Sequence, residues 1–378
     1  MSRTGSRGTD TGCSSQSTEA EVIRTAEPRT RSATVRWLGA VAIIAIPAVM
    51  IPAIMVGPMK IQVATVVNIL LGHMPFVKSL VTPSWNAEQV IVVMSLRLPR
   101  VLLAFLVGGS LAVVGAAMQG LFRNPLAEPY TLGVSAGALC GVALAMVMGV
   151  GVGLFGYFAV QGMAFLGAMG AILLVYSIAR TGRRVRSETL LLAGIAIGFL
   201  LQAVVSFLKY VAPAEVTKDL VVWIMGSFSA AGWTDLKIMA LPAILGAGGV
   251  MLFSKELNAL YFGEETAAHL GIDVQVIKLV IMVLSAIVTA ATVAVSGIIG
   301  FVGLLVPHLL RMLVGVDHRV LLPACVLAGG LYLVAIDAVI RVITYPVEMP
   351  IGIITSLVGV PYFIYLLRKK KTFSWWGE

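Results

Sequence analysis

The stretch RLPRVLLAFLVGGSLAVVGAAMQGLFRNPLAEP, Arg97–Pro129, decides how the rest of the chain is read. Between Arg100 and Arg123 it carries no charged residue, and the apolar run 98–121 is long enough to cross roughly 30 Å of hydrocarbon as a helix. Inside it Ala104, Gly108, Ala112, Ala116 and Gly120 recur at a spacing of four, a stripe of small side chains that lets a second helix approach closely. The stripe is a packing feature and carries no chemistry.

The same pattern fills the chain. Of 378 residues, 59% are hydrophobic and 12% charged, with a mean hydropathy of +0.97, where a soluble domain carries about 25% charged residues. Apolar runs at 37–57, 98–121, 133–151, 157–179, 190–210, 236–253, 276–295, 298–314, 321–340 and 351–367 predict ten transmembrane spans. These are helices rather than strands of a barrel, so the fold class is an all-α polytopic membrane protein. Residues 1–36, rich in Ser, Thr, Gly and Arg, lack the apolar core of a signal peptide or lipoprotein leader and read as a disordered cytosolic tail. The transmembrane domain then covers 37–368, and 369–378 form a C-terminal cytosolic tail.

The net charge of +9 reports topology rather than nucleic-acid binding, because the basic residues sit in loops and tails. With ten spans, nineteen of the 27 Lys and Arg fall on the side that holds both termini and seven on the other, with Lys237 at the border. By the positive-inside rule both termini are cytosolic. Cys13 lies in the tail and Cys140 and Cys325 in apolar runs; with no CxxC and no disulfide framework, they read as small packing residues.

That orientation puts NALYFGEETAAHLGID, Asn258–Asp273, in the cytosol between the sixth and seventh spans. Glu264 and Glu265 after Gly263 suit a helix N-terminus, and Gly271 suits its stop after Ala267, Ala268, His269 and Leu270. A helix of about two turns is marginal alone in water and needs a surface to dock on. Packing on the cytosolic helix ends of the same chain is the simpler alternative.

Four other groups draw notice. Arg97 and Arg100 stand on the outer side, against the topology bias, which points either to an acidic partner outside or to headgroup snorkelling. Gly194, Gly198, Gln202 and Ser206, with Tyr210 continuing the row, give the fifth span a small and polar face that suits either helix packing or a water-lined pathway. Pro307 is expected to break or kink the eighth span, beside His308 and Arg311, with His308 in a structural hydrogen bond. Asp337 and Arg341 lie four apart and can pair on one face near the outer surface. No GxxxxGK[ST] loop, HExxH or Ser/His/Asp arrangement occurs, so the chain reads as neither an ATPase nor another enzyme, and no metal or cofactor set is present.

RLPRVLLAFLVGGSLAVVGAAMQGLFRNPLAEPYTLGVSAGA, NALYFGEETAAHLGI, GFVGLLVPHLLRMLVGVDHRVLLPACVLAGG and MPIGIITSLVGVPYFIYLL, in this order, resemble the permease subunits of bacterial ABC importers for iron siderophores, haem and cobalamin, the FecCD type. The resemblance covers residues 37–368. It implies a ten-span permease in the cytoplasmic membrane, paired with a second, identical or paralogous copy. Its partners would be an external binding protein and two cytosolic subunits that bind ATP and Mg. It implies that Gly263–Gly271 is the coupling helix on the ATPase, that Arg97, Arg100 and Arg341 meet acidic residues of the binding protein, and that spans five and ten line the pathway. The pathway set is then Gly194, Gly198, Gln202, Ser206, Thr355 and Gly359. An inverted repeat of spans 2–5 and 7–10, alternating access, and a ferric siderophore cargo ahead of haem and cobalamin complete the expectation. The rivals are an ion-coupled secondary transporter, for which Asp337 is the one carboxylate clearly inside an expected span, and a membrane-embedded enzyme, for which no clustered machinery is seen.

Overall fold

The structure is a computed structural model that describes residues 39–74, 85–150, 154–181 and 184–369. The expected tails, except for Lys369, lie outside these residues, as do Cys13, Lys78 and Arg183. Contacts divide the chain into Met1–Ile44 and Ala45–Glu378, and the architecture below is that of the second unit.

The described residues are almost wholly helical. In chain order the helices are α1 (Gly39–Met55), α2 (Val63–Gly72), α3 (Ala87–Leu121), α4 (Val134–Val147), α5 (Leu154–Ala179), α6 (Ser187–Val211), α7 (Ala214–Ile224) and α8 (Trp233–Leu252). They continue as α9 (Ser254–Tyr261), α10 (Glu264–His269), α11 (Val274–Ser296), α12 (Val302–Val314), α13 (His318–Ile343) and α14 (Ile351–Lys369). A two-residue antiparallel ribbon, Arg180–Thr181 on Arg184–Val185, joins α5 to α6. Six helices have the length and composition to cross a membrane: α3, α5, α6, α8, α11 and α13. The other expected spans coincide with the shorter apolar helices α1, α4, α12 and α14. The sequence pattern did not resolve α2 and α7, whose runs are too short to register as spans.

The core is built around α3, in which every residue from Val107 to Leu121 is buried. The small-residue stripe does what its spacing implies. A Cβ on Gly108 would stand 2.2 Å from the Gly329 carbonyl oxygen of α13, and one on Gly120 would stand 2.6 Å from the His318 ring. Only glycine permits backbones that close. Helices α4 and α5 pack the same way, Gly137 against Gly167 and Gly141 against Met163.

One span boundary and one proline expectation need correction. The second span was expected to start at Leu98, beside Pro99, yet α3 begins at Ala87 and runs through it. The turns just ahead, Ile91–Arg97, open to π geometry, and such a bulge relieves the clash and missing donor that proline brings to a helix. Pro307 likewise stays inside α12. It has no N–H to give the Gly303 carbonyl four residues earlier, and the Gln119 amide donates there instead, at 3.3 Å, and to Leu304 O at 3.2 Å. The break falls upstream, at Gly297–Phe301, where Gly297 and Phe301 both take φ of 68°. Backbone released from helix geometry within an apolar bundle is tolerated where protein covers it, and Ile299 is fully buried.

Candidate coupling and translocation site

The segment Asn258–Asp273 forms as its punctuation requires. Gly263 (φ 119°) and Gly271 (φ 81°) adopt backbone conformations that other residues avoid, and between them α10 is six residues long. Asp273 then caps α11, accepting from Gln275 N at 3.1 Å and Val276 N at 3.2 Å. Ala267 is buried against the protein, whereas Glu265, Ala268, His269 and Leu270 are exposed, as is Phe262 just before them. The helix therefore packs one side on its own chain and presents another.

Both flanks are tied in. On one side the Asn258 amide donates to Asp317 Oδ1 at 2.6 Å while its oxygen accepts from His318 N at 2.8 Å, which joins α9 to the start of α13. On the other, the Lys278 ammonium, buried in α11, donates to Glu264 Oε1 at 2.5 Å and to Ser187 Oγ at 3.1 Å, where Ser187 is the first residue of α6. The Gln275 side chain also accepts from Val185 N at 3.0 Å, just ahead of α6.

The structure brings Arg97, Arg100 and Arg341 to one end of the bundle, but each is engaged by its own chain. Arg97, 5% exposed, donates to the carbonyls of Ile54 (3.0 Å), Met55 (2.7 Å) and Met59 (2.6 Å). These acceptors are the unpaired carbonyls at and just beyond the end of α1. Arg100 grips Asp337 with Nη2–Oδ1 at 2.9 Å and reaches Glu348 at 3.0 Å. Asp337 also takes Arg341 Nε at 3.1 Å, the i,i+4 pair expected from the sequence, and Arg341 donates to Val56 O at 2.9 Å. One carboxylate thus serves two arginines across α3 and α13.

The expected pathway residues separate into two sets. Gly194, Thr355 and Gly359 are packed. A Cβ on Gly194 would lie 2.5 Å from Thr131 O, one on Gly359 would lie 2.5 Å from the Phe301 ring, and Thr355 is fully buried with its hydroxyl on Gly352 O at 3.2 Å. Gly198, Gln202 and Ser206 lie along an open side of α6: a Cβ on Gly198 would meet nothing within 4 Å, and Gln202 and Ser206 are exposed. Gly194 rests on the 3₁₀ turn Pro129–Leu132 before α4, and Gly359 rests on the break before α12. The Tyr130 hydroxyl links those two irregular segments by donating to Ile299 O at 2.9 Å.

Other buried polar groups are structural. His308, 4% exposed, meets the Tyr362 ring edge-on with centroids 6.2 Å apart. Arg311 donates to Gln119 Oε1 at 2.6 Å and so orients the amide that serves the Pro307 turn. Asp337 is not the only carboxylate inside a span helix, because α8 begins earlier than expected. Asp235, in its first turn, accepts from Gly232 N at 2.9 Å and from Gln161 at 3.2 Å. Among the described residues no cluster of three or more His, Cys, Asp or Glu could hold a metal ion. Sequence reasoning missed Lys278, Ser187, Asn258 and Gln119. A lone Lys five residues into an apolar helix is the only local signal among them, and in the charge count it reports only topology.

A bundle of apolar helices, six of them long enough to cross a membrane, with a short exposed helix between two of them is the form of a polytopic membrane protein. The chain belongs to the FecCD transport family, whose family model matches residues 43–369. The cobalamin import system permease protein BtuC of Halobacterium salinarum is 43% identical over 281 residues, which cover 74% of each chain. The hemin transport system permease protein HmuU of Yersinia pestis is 44% identical over 283 residues, covering 74% of this chain and 83% of that one. A solved structure of a metal-chelate type ABC transporter in an inward-facing conformation is 35% identical, superposes with a TM-score of 0.69, and covers 81% of this chain and 96% of its own.

Proposed function

We propose that this chain is the permease subunit of an ATP-driven importer in the cytoplasmic membrane that passes a ferric siderophore, or else haem or cobalamin, from an external binding protein by alternating access. The observation that carries the reading is the family match over residues 43–369, joined by relatives named for cobalamin and hemin import. In this reading both termini are cytosolic, and a second permease copy and two ATPase subunits, which bind ATP and Mg, complete the assembly.

Helix α10 is the coupling helix. Its exposed Glu265, Ala268, His269 and Leu270 fit a docking face, and contacts with an ATPase cleft would supply what a helix of under two turns lacks. Gly198, Gln202 and Ser206 line the pathway, with Thr355 buried in α14, while Gly194 and Gly359 hold its two helices, α6 and α14, against the broken segments before α4 and α12. That matching use of glycines on two irregular turns supports an inverted repeat of spans 2–5 and 7–10. Arg97, Arg100 and Arg341 shape the rim on which the binding protein sits. With their guanidiniums committed to Asp337, Glu348 and backbone carbonyls, direct pairing with the partner's acids would compete with those bonds.

An ion-coupled rival needs a carboxyl that titrates near neutrality. Burial pushes Glu128, in the connection before α4, up to about 7. Proteoliposomes of Glu128→Gln, tested with ferrichrome, haemin and cyanocobalamin, separate the readings. The ATP-driven reading expects uptake of one cargo to persist; loss of uptake with intact ATP hydrolysis favours the rival.

A further inference from the structure

We infer that Lys278 is a positioning residue that latches the coupling helix α10 to the cytosolic end of α6, so that displacement of α10 is delivered to the pathway helix. The inference rests on the proposed coupling role of α10 and extends it to a specific linkage.

Glu264 is the first residue of α10, Ser187 the first of α6, and Lys278 sits in the second turn of α11. The three side chains close a ring: Lys278 Nζ to Glu264 Oε1 at 2.5 Å, Lys278 Nζ to Ser187 Oγ at 3.1 Å, and Ser187 Oγ to Glu264 Oε1 at 3.5 Å. The Lys278 side chain is 2% exposed and that of Glu264 is 46% exposed. A buried ammonium is tolerated only when its partners stay with it. Pulling Glu264 away would strand the charge, so α10, Lys278 and Ser187 favour moving together. Glycine at both ends of α10 leaves the short helix few backbone constraints of its own, which raises the share of its position set by this ring. The Val185 N to Gln275 bond holds the approach to α6 against the same turn of α11. The Asn258 bridge ties the other flank to α13, in the core, and so marks a different route.

The test reads movement of α6 and needs no cargo. Nitroxides are placed at Glu188→Cys on α6 and Val316→Cys between α12 and α13, both exposed positions, in a Cys13→Ser background that leaves only the buried Cys140 and Cys325. The permease is assembled with its ATPase in nanodiscs, and the label distance is compared without nucleotide and with ATP and vanadate. Lys278→Met keeps the length of the buried side chain, and Ser187→Ala removes only the α6 arm while leaving the ion pair whole. In both variants the nucleotide-driven distance change should shrink by about two- to tenfold, while ATP hydrolysis and thermal midpoint of the assembly stay near wild type. A full wild-type distance change in Ser187→Ala and in folded Lys278→Met overturns the latch. Ala268→Pro separates the two levels. If it abolishes ATPase association while the latch variants behave as wild type, coupling through α10 stands and the latch fails; if it leaves association and movement intact, the coupling reading itself fails.

Discussion

The two ends of the molecule use the same ingredients, buried cations and carboxylates, to opposite effect. At one end Asp337 is 2% exposed and held by Arg100 and Arg341, with Arg97 and Arg341 also bonded to the carbonyls around the end of α1. At the other, buried Lys278 meets the half-exposed Glu264 of a six-residue helix. The first cluster joins long helices to one another and has little freedom to rearrange. The second joins a short, exposed helix to the bundle through one ion pair and one hydroxyl.

The largest effect should come from the rigid end. Asp337→Ala strands two mostly buried guanidiniums, a loss of about 3–5 kcal/mol, to be seen as a lowered thermal midpoint of the detergent-solubilised permease. A near wild-type midpoint would mean that the cluster is not a structural clamp. At the coupling end, Ala268→Pro removes a backbone donor from α10 at about 3 kcal/mol, enough to unfold so short a helix. Its effect should be lost ATPase copurification with an unchanged thermal midpoint of the isolated permease. A stability loss in the isolated chain would show that α10 serves the bundle rather than a partner.

Along α6 the two glycines are expected to part company. Gly194→Leu drives a Cβ to 2.5 Å from a backbone carbonyl and should reduce folded yield, whereas Gly198→Leu has room in the chain and should leave yield intact while obstructing transport. Equal yields, or unimpaired transport in Gly198→Leu, would remove the distinction between packed and open residues. The smallest effect is expected of Glu348→Gln at the rim, because that carboxylate is 48% exposed and shares Arg100 with Asp337. Such pairs contribute about 0–1 kcal/mol. A thermal shift approaching that of Asp337→Ala would assign the clamp to the wrong acid.

Much of this organisation was legible in the sequence because it is periodic or punctuated. Spacing of four found the face on which α3 meets α13, apolar runs located helices of which six are long and apolar enough to cross a membrane, and Gly263 and Gly271 flank α10, which stops at His269, one residue earlier than expected. Local signals failed where partners are distant in the chain. Nothing near Arg97 in sequence marks Ile54 O as its acceptor, and nothing near Pro307 indicates that Gln119 would supply its missing donor. Arg97, Arg100 and Arg341 stand out in the sequence as charges against the expected topology bias, but their acceptors within the same chain can be recognised only once the helices are packed. Gly194 and Gly198 look alike on a helical face, and only the turn before α4 tells them apart.

The central claim is that ATP, acting through α10, drives import by this chain. It is tested most directly by uptake into proteoliposomes that hold the permease and its ATPase, with the binding protein supplied together with ferrichrome, haemin or cyanocobalamin, and with ionophores collapsing every ion gradient. The account predicts uptake of one of these cargoes that requires ATP, survives the ionophores and is lost in Ala268→Pro. Uptake that proceeds without ATP and stops when the gradients collapse would contradict it.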